Sequence, residues 1–321
     1  MVDCPNPRVV SEPRLKYFET AKGRFITGLF VSYTYYMWFR LPLCLLLISL
    51  HTACASAEQG DQPVELEQSV CGLKEPLLFW LWSSQAGSPD ATRLEGLRNA
   101  EAISFATNDG RKISGYRLRA SMKDKQLRSG KPKGYLLVLQ GNAMLADQIL
   151  GEFRSYADAG YDVYIYDYRG YGRSEGKRRL KAIVHDYKSI LATLNDGTYE
   201  EKLVYAMSLG GVIFFDALIA TDKPDRVVID STPSRLSDYG CPVEYDPINH
   251  LPANCANFMF IVGERDRVVN AAMSEDMLEI ARRCGAVIIK DSEFSHPFMD
   301  LNWSVHQRRM RLIENFLLQQ E

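Results

Sequence analysis

Short apolar runs alternate with segments of helical period along most of this chain, from residue 134 to its end. Runs separated by helices of about 10–16 residues are typical of parallel βαβ units with right-handed crossovers. We predict strands over 135–139, 161–166, 202–205, 226–229, 258–262 and 287–290, and helices over 144–159, 180–194, 209–221, 271–283 and 305–318. Upstream, 102–105 and 113–118 flank the turn residues Asp109 and Gly110, which predicts an antiparallel hairpin. The sequence therefore predicts an α/β fold, a doubly wound, mostly parallel sheet with helices on both faces and the hairpin at one edge.

Composition limits the class of protein. The chain has 321 residues, of which 46% are hydrophobic, enough for a sizeable core. Its formal net charge is −2 and it has no long basic block, so we expect no nucleic-acid partner. No Cys-x-x-Cys pair or His-rich spacing indicates a metal, and we expect neither a metal nor an organic cofactor. We divide the chain into a leader over 1–57, an extension over 58–100 and the α/β domain over 101–321.

The leader has the three parts of a secretory signal. Arg40 precedes the apolar run 41–50, and small residues follow this run. The run is shorter than the roughly 20 residues that cross a membrane. Met37 is a plausible true start, which would make the basic flank compact. We therefore expect an exported protein, with an uncut N-terminal anchor as the alternative.

Two processing sites compete within the leader. Thr52-Ala53-Cys54 resembles a bacterial lipobox, which would leave Cys54 lipidated, although His51 stands where an aliphatic residue is expected. Alternatively, Ala55-Ser56-Ala57 is a small-x-small cleavage site and the mature chain starts near Glu58. The predicted location is accordingly the periplasm or a membrane-anchored lipoprotein, attached through its N-terminus.

Two features of the remaining chain each leave more than one interpretation. Cys241 and Cys255 bracket a Pro-rich loop and would pair in an oxidising compartment, or they stay free and buried. The apolar run 76–82 contains two tryptophans. We expect it to dock against the core, the alternatives being a membrane contact or a shield at the mouth of a site.

The segment after strand 202–205 has the pattern of a nucleophile elbow. Ala206 stands two residues before Ser208, and Gly210 stands two residues after it, between a strand and a helix. Such a turn needs small flanking residues and lifts the serine hydroxyl clear of the sheet. We predict Ser208 as a nucleophile, with an N-cap serine as the alternative.

A serine hydroxyl needs an imidazole to take its proton, and the imidazole needs a carboxylate to fix its tautomer. In open α/β sheets, functional groups gather at the carboxyl ends of the strands. Asp266 follows the strand 258–262 and His296 follows the last strand, so we predict them as acid and base. Asp230, at the end of another strand, is the rival acid, and His250 is a weaker rival base.

In this order, these residues resemble the α/β-hydrolase fold family, specifically its members related to monoglyceride lipases and serine aminopeptidases. The resemblance covers 101–321 and includes the segments 140–143, 160–174, 262–269 and 295–296 beside the elbow. It implies the triad Ser208, Asp266 and His296. It also implies an oxyanion hole formed by the backbone amides of Leu209 and of the loop after the Gly141 strand, where we assign Asn142, with Ala143 next in line.

The chain departs from the family at three places. Gln140 stands where the family commonly has histidine, and Ala206 replaces the first glycine of the elbow. Little chain lies between Ile229 and Phe258, so we expect no large cap and a fairly open site.

The resemblance implies hydrolysis of a carboxylic ester or thioester through an acyl-serine, with a small-molecule ester or acyl-lipid substrate. A peptidase or amidase of the same fold and an inactive binding protein are the alternatives. The sequence leaves the oligomeric state open.

Overall fold

In the computed structural model, which describes residues 63–121, 131–218 and 224–320, eight strands form one mixed sheet in the order β1-β2-β4-β3-β5-β6-β7-β8. Strands β1 and β2 pair antiparallel with each other, and β2 pairs antiparallel with β4, whereas the other neighbours are parallel. The mostly parallel sheet with a hairpin at one edge is confirmed. The strands are β1 (Ala100–Ala106), β2 (Lys112–Leu118), β3 (Gly134–Leu139), β4 (Tyr161–Tyr166), β5 (Glu201–Met207), β6 (Arg226–Asp230), β7 (Phe258–Gly263) and β8 (Val287–Asp291).

The helices of the described residues follow the predicted pattern with one interruption. They are α1 (Pro63–Leu66), α2 (Lys74–Gln85), α3 (Ala146–Ile149), α4 (Arg154–Asp158), α5 (Leu180–Leu194), α6 (Leu209–Leu218), α7 (Ala271–Arg283) and α8 (Trp303–Leu318). The single helix predicted over 144–159 is wrong, because a 3₁₀ turn, Leu150–Phe153, separates α3 from α4. Gly151 lies inside that turn, and glycine is a poor residue for a helix interior.

Side chains of the central strands alternate between two cores. In β3, Leu137 and Leu139 belong to the core that includes side chains of α5, α6 and α7. Leu136 and Val138 belong to the other core, with side chains of α4 and α8. Because successive strand residues point to opposite faces, the sheet is covered by helices on both faces, as predicted. The connection from β6 to β7 holds only the short 3₁₀ turns Ser237–Tyr239, Val243–Tyr245 and Pro247–His250, so no large cap is inserted there.

Helix α2 lies along the carboxyl edge of the sheet. Near its start, Glu75 Oε1 accepts a hydrogen bond from the amide of Leu180, the first residue of α5, at 2.8 Å. At its end, Gln148 Nε2 donates to the carbonyl of Ala86 at 2.7 Å. Since α3 and α5 follow the ends of β3 and β4, both contacts lie where the parallel strands terminate.

The expectation that the run 76–82 docks against the core holds for only part of it. Phe79 is buried, but Leu77, Leu78, Trp80 and Leu81 are exposed. The run is helical, and a helix of 3.6 residues per turn presents only one stripe to the core.

Two disulfides tie distant parts of the fold together. Cys71, just before α2, pairs with Cys241 in the β6–β7 connection, and Cys255 pairs with Cys284 at the end of α7. The suggested Cys241–Cys255 pair is therefore wrong, and neither cysteine is a free thiol. The β6–β7 connection brings Cys255 against the end of α7, where its amide donates to the Cys284 carbonyl at 2.8 Å.

The predicted leader, 1–57, including Cys54, lies outside the described residues. Within the described ranges, none of the helices has both the length and the apolar character that a membrane crossing requires.

Candidate active site

Ser208 occupies the turn between β5 and α6. Its backbone has φ +54°, in the left-handed region that side chains other than glycine rarely adopt. Its amide donates to the Asp230 carbonyl at 2.8 Å, and its own carbonyl accepts from the Gly211 amide at 3.1 Å. Strained residues of this kind cost about 1–3 kcal/mol and persist only where neighbouring structure holds them.

The small residues around Ser208 are required by close packing. A methyl group at Gly210 would overlap the Leu139 carbonyl oxygen, and one at Gly211 would overlap the Thr232 hydroxyl. Ala206 is fully buried in β5, between its partners on β3 and β6. The fold thus accepts a methyl group at the first position of the elbow but none at either glycine after it.

His296 and Asp266 are brought together, although they follow different strands. His296 Nδ1 donates to Asp266 Oδ2 at 2.8 Å. The other carboxylate oxygen accepts from the amides of Val268 and Val269 at 2.8 and 2.9 Å. Burial alone would raise the pKa of Asp266, but the His296 hydrogen bond and charge, with these two amides, lower it below its ordinary value. Asp266 is therefore an ionised carboxylate that orients the His296 ring and leaves Nε2 free to accept a proton.

The serine contact of a complete triad is not formed. Ser208 Oγ makes no hydrogen bond to any group in the described part of the chain, His296 included. The hydroxyl lies at the end of β5 and the histidine beyond the end of β8, on the same edge of the sheet. Catalytic hydrogen bonds are often long in ligand-free enzymes and tighten when substrate binds.

The two rival residues are engaged elsewhere. Asp230 is fully buried and pairs with Arg309 at 3.1 Å, while the Tyr205 hydroxyl donates to it at 3.0 Å. Burial raises the pKa of Asp230, and the Arg309 charge opposes that rise. His250 Nε2 contacts the Glu244 carbonyl at 2.6 Å rather than a carboxylate. The geometry therefore favours Asp266 and His296 over their rivals.

The loop after β3 lies against Ser208. A Cβ atom built on Gly141 would stand 3.8 Å from Ser208 Cβ. Ala143 in this loop has φ 104°, a second strained residue beside the serine. Among the described residues, the amides of Asn142 and Ala143 donate to no other protein group. Leu209 is the first residue of α6, so its amide has no acceptor within the helix. The predicted donors thus lie on the two segments that adjoin Ser208.

Tyr171 supports this loop, a role that sequence analysis missed. Its hydroxyl donates to Asn142 Oδ1 and its ring is buried. Gln140, which stands where the family commonly has histidine, donates through Nε2 to the Tyr166 carbonyl at 2.9 Å, and the Tyr168 hydroxyl donates to the Gln140 carbonyl. Gln140 therefore ties the end of β3 to the end of β4.

Arg309 supports the histidine loop and was also missed. It is 1% exposed, pairs with Asp230 and Asp300, and donates to the Ser295 carbonyl beside His296. A signal was present in the sequence: Arg309 falls between Val305 and Ile313 at a spacing of four, on the apolar stripe of the predicted helix. A cation on a buried stripe indicates a buried anionic partner.

Asp167, at the end of β4, anchors the start of α3. Its Oδ1 accepts from the Ala146 amide at 2.7 Å. Burial is the main reason that its pKa rises to about 6, and the neighbouring carboxylate of Asp147 adds to the rise. In the described residues, no cluster of three or more His, Cys, Asp and Glu side chains is arranged to hold a metal.

The sheet, the strand–turn–helix around Ser208 and the histidine–carboxylate pair define an α/β-hydrolase fold, and the chain has that fold. Residues 130–239 match the family model described as "Serine aminopeptidase, S33". This match, with the fold, supports a hydrolase of the serine type.

Individual relatives are distant. The chain is 23% identical over 231 residues to an uncharacterized protein, YfhR, of Escherichia coli K12, covering 66% of this chain and 79% of that protein. Among solved structures, the Pyrococcus furiosus esterase Pf2001 superposes with a TM-score of 0.55 at 16% identity, covering 73% of this chain and 96% of that one. A lid-less α/β serine hydrolase from Xanthomonas campestris gives a TM-score of 0.50 at 14% identity, covering 68% and 92%. At these identities the solved structures establish the fold.

Proposed function

We propose that this protein hydrolyses a carboxylic ester or thioester through an acyl-serine intermediate. The observation that carries the proposal is the His296–Asp266 contact of 2.8 Å at the same sheet edge as Ser208, which is held with φ +54°. A strained serine, an oriented imidazole and unengaged backbone amides are the parts that acyl transfer needs.

In the proposed reaction, His296 Nε2 takes the proton from Ser208 Oγ as the oxygen attacks the acyl carbon. The carbonyl π electrons move to oxygen, giving a tetrahedral oxyanion beside the amides of Leu209 and Asn142. The intermediate collapses, the bond to the alcohol or thiol breaks, and His296 returns the proton to that leaving group. His296 then deprotonates water, whose oxygen attacks the acyl carbon. The bond from that carbon to Ser208 Oγ breaks, His296 returns the proton to Oγ, and the acid leaves.

An amidase is the second candidate, because the family model that matches 130–239 is described as a serine aminopeptidase. Relative turnover of matched ester and aminoacyl-amide substrates separates the two. The ester is preferred here because the β6–β7 connection, with its short 3₁₀ turns, supplies no inserted cap to position a peptide.

We also propose that the protein works in an oxidising compartment, as an exported or lipoprotein-anchored enzyme. Disulfides persist mainly in such compartments, and Cys71–Cys241 and Cys255–Cys284 engage every cysteine in the described residues. Maleimide labelling in intact cells tests this: both pairs should resist alkylation until a reductant is added. Mass spectrometry of the mature N-terminus then distinguishes a lipidated Cys54 from a chain that starts near Glu58.

The activity is tested with a fluorophosphonate probe and peptide mapping. We expect labelling at Ser208, lost in Ser208→Ala and in His296→Ala. Ser231→Ala is the matched control, because Ser231 also has a positive φ, +51°, and directly follows the neighbouring strand β6, yet its hydroxyl donates to Asp230. A folded protein that the probe leaves unlabelled, or labels equally in Ser208→Ala, contradicts the proposal.

A further inference from the structure

Helix α2 is apolar on the side that faces away from the core. Its buried residues, Glu75 and Phe79, and its buried C-cap residue Ala86 fall on one inner stripe. The outer side carries large apolar side chains with high exposure: Leu73 97%, Leu77 63%, Trp80 57%, Leu78 46% and Leu81 42%. A helix that is apolar all round is normally covered on every side.

The polarity of α2 is the reverse of that in the surface helix α7. In α7 the exposed positions are mainly charged, including Glu275, Glu279 and Arg283. In α2 the carboxylate of Glu75 is 2% exposed and accepts hydrogen bonds from the amides of Val70, Cys71 and Leu180. The leucines and a tryptophan take the solvent-facing positions instead.

Basic residues flank the start of this apolar side. Lys177, Arg178 and Arg179 line a cleft of about 280 Å³ together with Pro76 in the first turn of α2. Lys74 is exposed at the first position of the helix. Within the ranges that the structure describes, none of these four cations forms an ion pair with a carboxylate. Arg178 and Arg179 are half-buried and donate to the carbonyls of Gly170 and Arg178, contacts that leave their positive charge without a counter-ion, and Lys74 and Lys177 are exposed.

We propose that the outer side of α2, with Lys74, Lys177, Arg178 and Arg179, docks onto an anionic lipid surface. Leucine and tryptophan enter the boundary between headgroups and acyl chains, while lysine and arginine bind anionic headgroups, so this surface combines both requirements. The apolar run 41–50 stands a short distance upstream in the sequence, in line with a membrane location for the preceding chain.

Docking by α2 would bring the carboxyl edge of the sheet to the lipid. At the end of α2, the Ala86 carbonyl accepts a hydrogen bond from Gln148, which follows the loop that holds Asn142 by a few residues. Just before its start, the Cys71–Cys241 disulfide links the helix to the β6–β7 connection. The edge that bears Ser208 would then face the headgroup region, which selects acyl-lipid esters as substrates. This substrate class rests on the proposed function, whereas lipid docking itself does not.

The first test uses the full chain with Trp38→Phe and Trp82→Phe, which leaves Trp80 and Trp303 as its tryptophans. Vesicles of phosphatidylglycerol and phosphatidylcholine carry brominated acyl chains, which quench tryptophans that enter the lipid. We expect quenching that Trp80→Phe removes and that Trp303→Phe leaves in place. Trp303 is the matched control because it is 44% exposed but lies at the start of α8. With Trp38 of the leader replaced, quenching in this background reports Trp80 and Trp303 and not the leader.

Paired variants test each part of the surface. Leu77→Ser should raise the vesicle concentration for half-maximal quenching, and Ile280→Ser, at an exposed apolar position of α7, should not. Lys177→Ala with Arg179→Ala should raise it by about 30-fold, at ~1 kcal/mol for each basic residue near the surface, and this effect should vanish in vesicles without phosphatidylglycerol.

Several results would overturn the docking proposal. One is quenching that is unchanged in Trp80→Phe. Another is a Trp80 already shielded from iodide before lipid is added, which would mean that a second copy or the chain's own leader covers α2. The docking proposal and the proposed function are tested separately. Ser208→Ala should dock like the wild type, and Leu77→Ser should keep the wild-type turnover of a soluble short-chain ester.

Discussion

Replacing Arg309 with methionine tests whether a buried ion network holds the histidine loop. Arg309 lies in α8 with 1% exposure, and its guanidinium pairs with Asp230 at 3.1 Å and Asp300 at 3.2 Å. It also donates to the Ser295 carbonyl. Methionine retains much of the volume and removes the charge.

The magnitude follows from what the substitution leaves behind. Asp230 is fully buried and would keep only the hydroxyls of Tyr205 and Ser231 as donors. Removing one partner of a buried ion pair typically costs about 3–5 kcal/mol, because the other charge stays in the interior uncompensated. Against a total stability of about 5–15 kcal/mol, such a loss is large.

The assay is urea unfolding followed by tryptophan fluorescence, with the disulfides intact. Arg308→Met is the matched control, since Arg308 is the adjacent residue of α8 and pairs with Asp291 and Glu293 in a half-exposed position. Exposed ion pairs contribute little. We therefore expect a large fall in the unfolding midpoint for Arg309→Met and a small one for Arg308→Met.

Equal midpoints for the two variants would refute the reasoning. The double variant Arg309→Met with Asp230→Asn refines the test, because it removes the orphaned charge together with its partner. It should recover part of the lost stability, and a double variant that is as unstable as the sum of the single changes would show that the pair is not coupled.

Three further predictions concern the site and its supports. Burial raises the pKa of Asp167 to about 6, so the native state holds that proton more tightly than the unfolded chain does, and wild-type stability is lost as pH rises from about 4 through about 6. Relative to Asp167→Asn, wild type should therefore lose about 2–3 kcal/mol between pH 4 and pH 7 in urea unfolding, and a pH-independent difference would contradict the assignment. Tyr171→Phe removes the hydroxyl that donates to Asn142 and should lower kcat about 10–100-fold with little change in KM, measured on a p-nitrophenyl ester; a change confined to KM would place Tyr171 in substrate binding instead. Replacing both Cys255 and Cys284 with alanine removes a link across 29 residues and should cost about 3–4 kcal/mol in urea unfolding. Adding a reductant should also lower the stability of the wild type, and a double variant more stable than the oxidised wild type would contradict the prediction.

The sequence determined the parts of this protein that depend on local pattern. The strand period, the helix period and the turn signals are each defined by residues that lie a few positions apart in the chain. Strands β3 to β8, the hairpin and the elbow at Ser208 were therefore all predictable. The placement of Ser208, Asp266 and His296 at one edge of the sheet was readable for the same reason, because each follows the end of a strand and parallel strands end at one edge. Two local signals misled. The helical period of 144–159 did not reveal the 3₁₀ turn inside it, and the apolar run 76–82 is as compatible with an exposed helix as with a buried one.

Tertiary structure decided the pairings between residues that are far apart in the chain. Asp266 and Asp230 both follow strands, and only packing shows that Arg309 engages Asp230 and leaves Asp266 to His296. Cys71 and Cys241 are separated by 170 residues, a distance over which no local pattern specifies a partner. The sequence specifies which segments form strands and helices, whereas the partners of buried charges and thiols are set by how those segments pack, because burial leaves each such group only the neighbours that the fold brings to it.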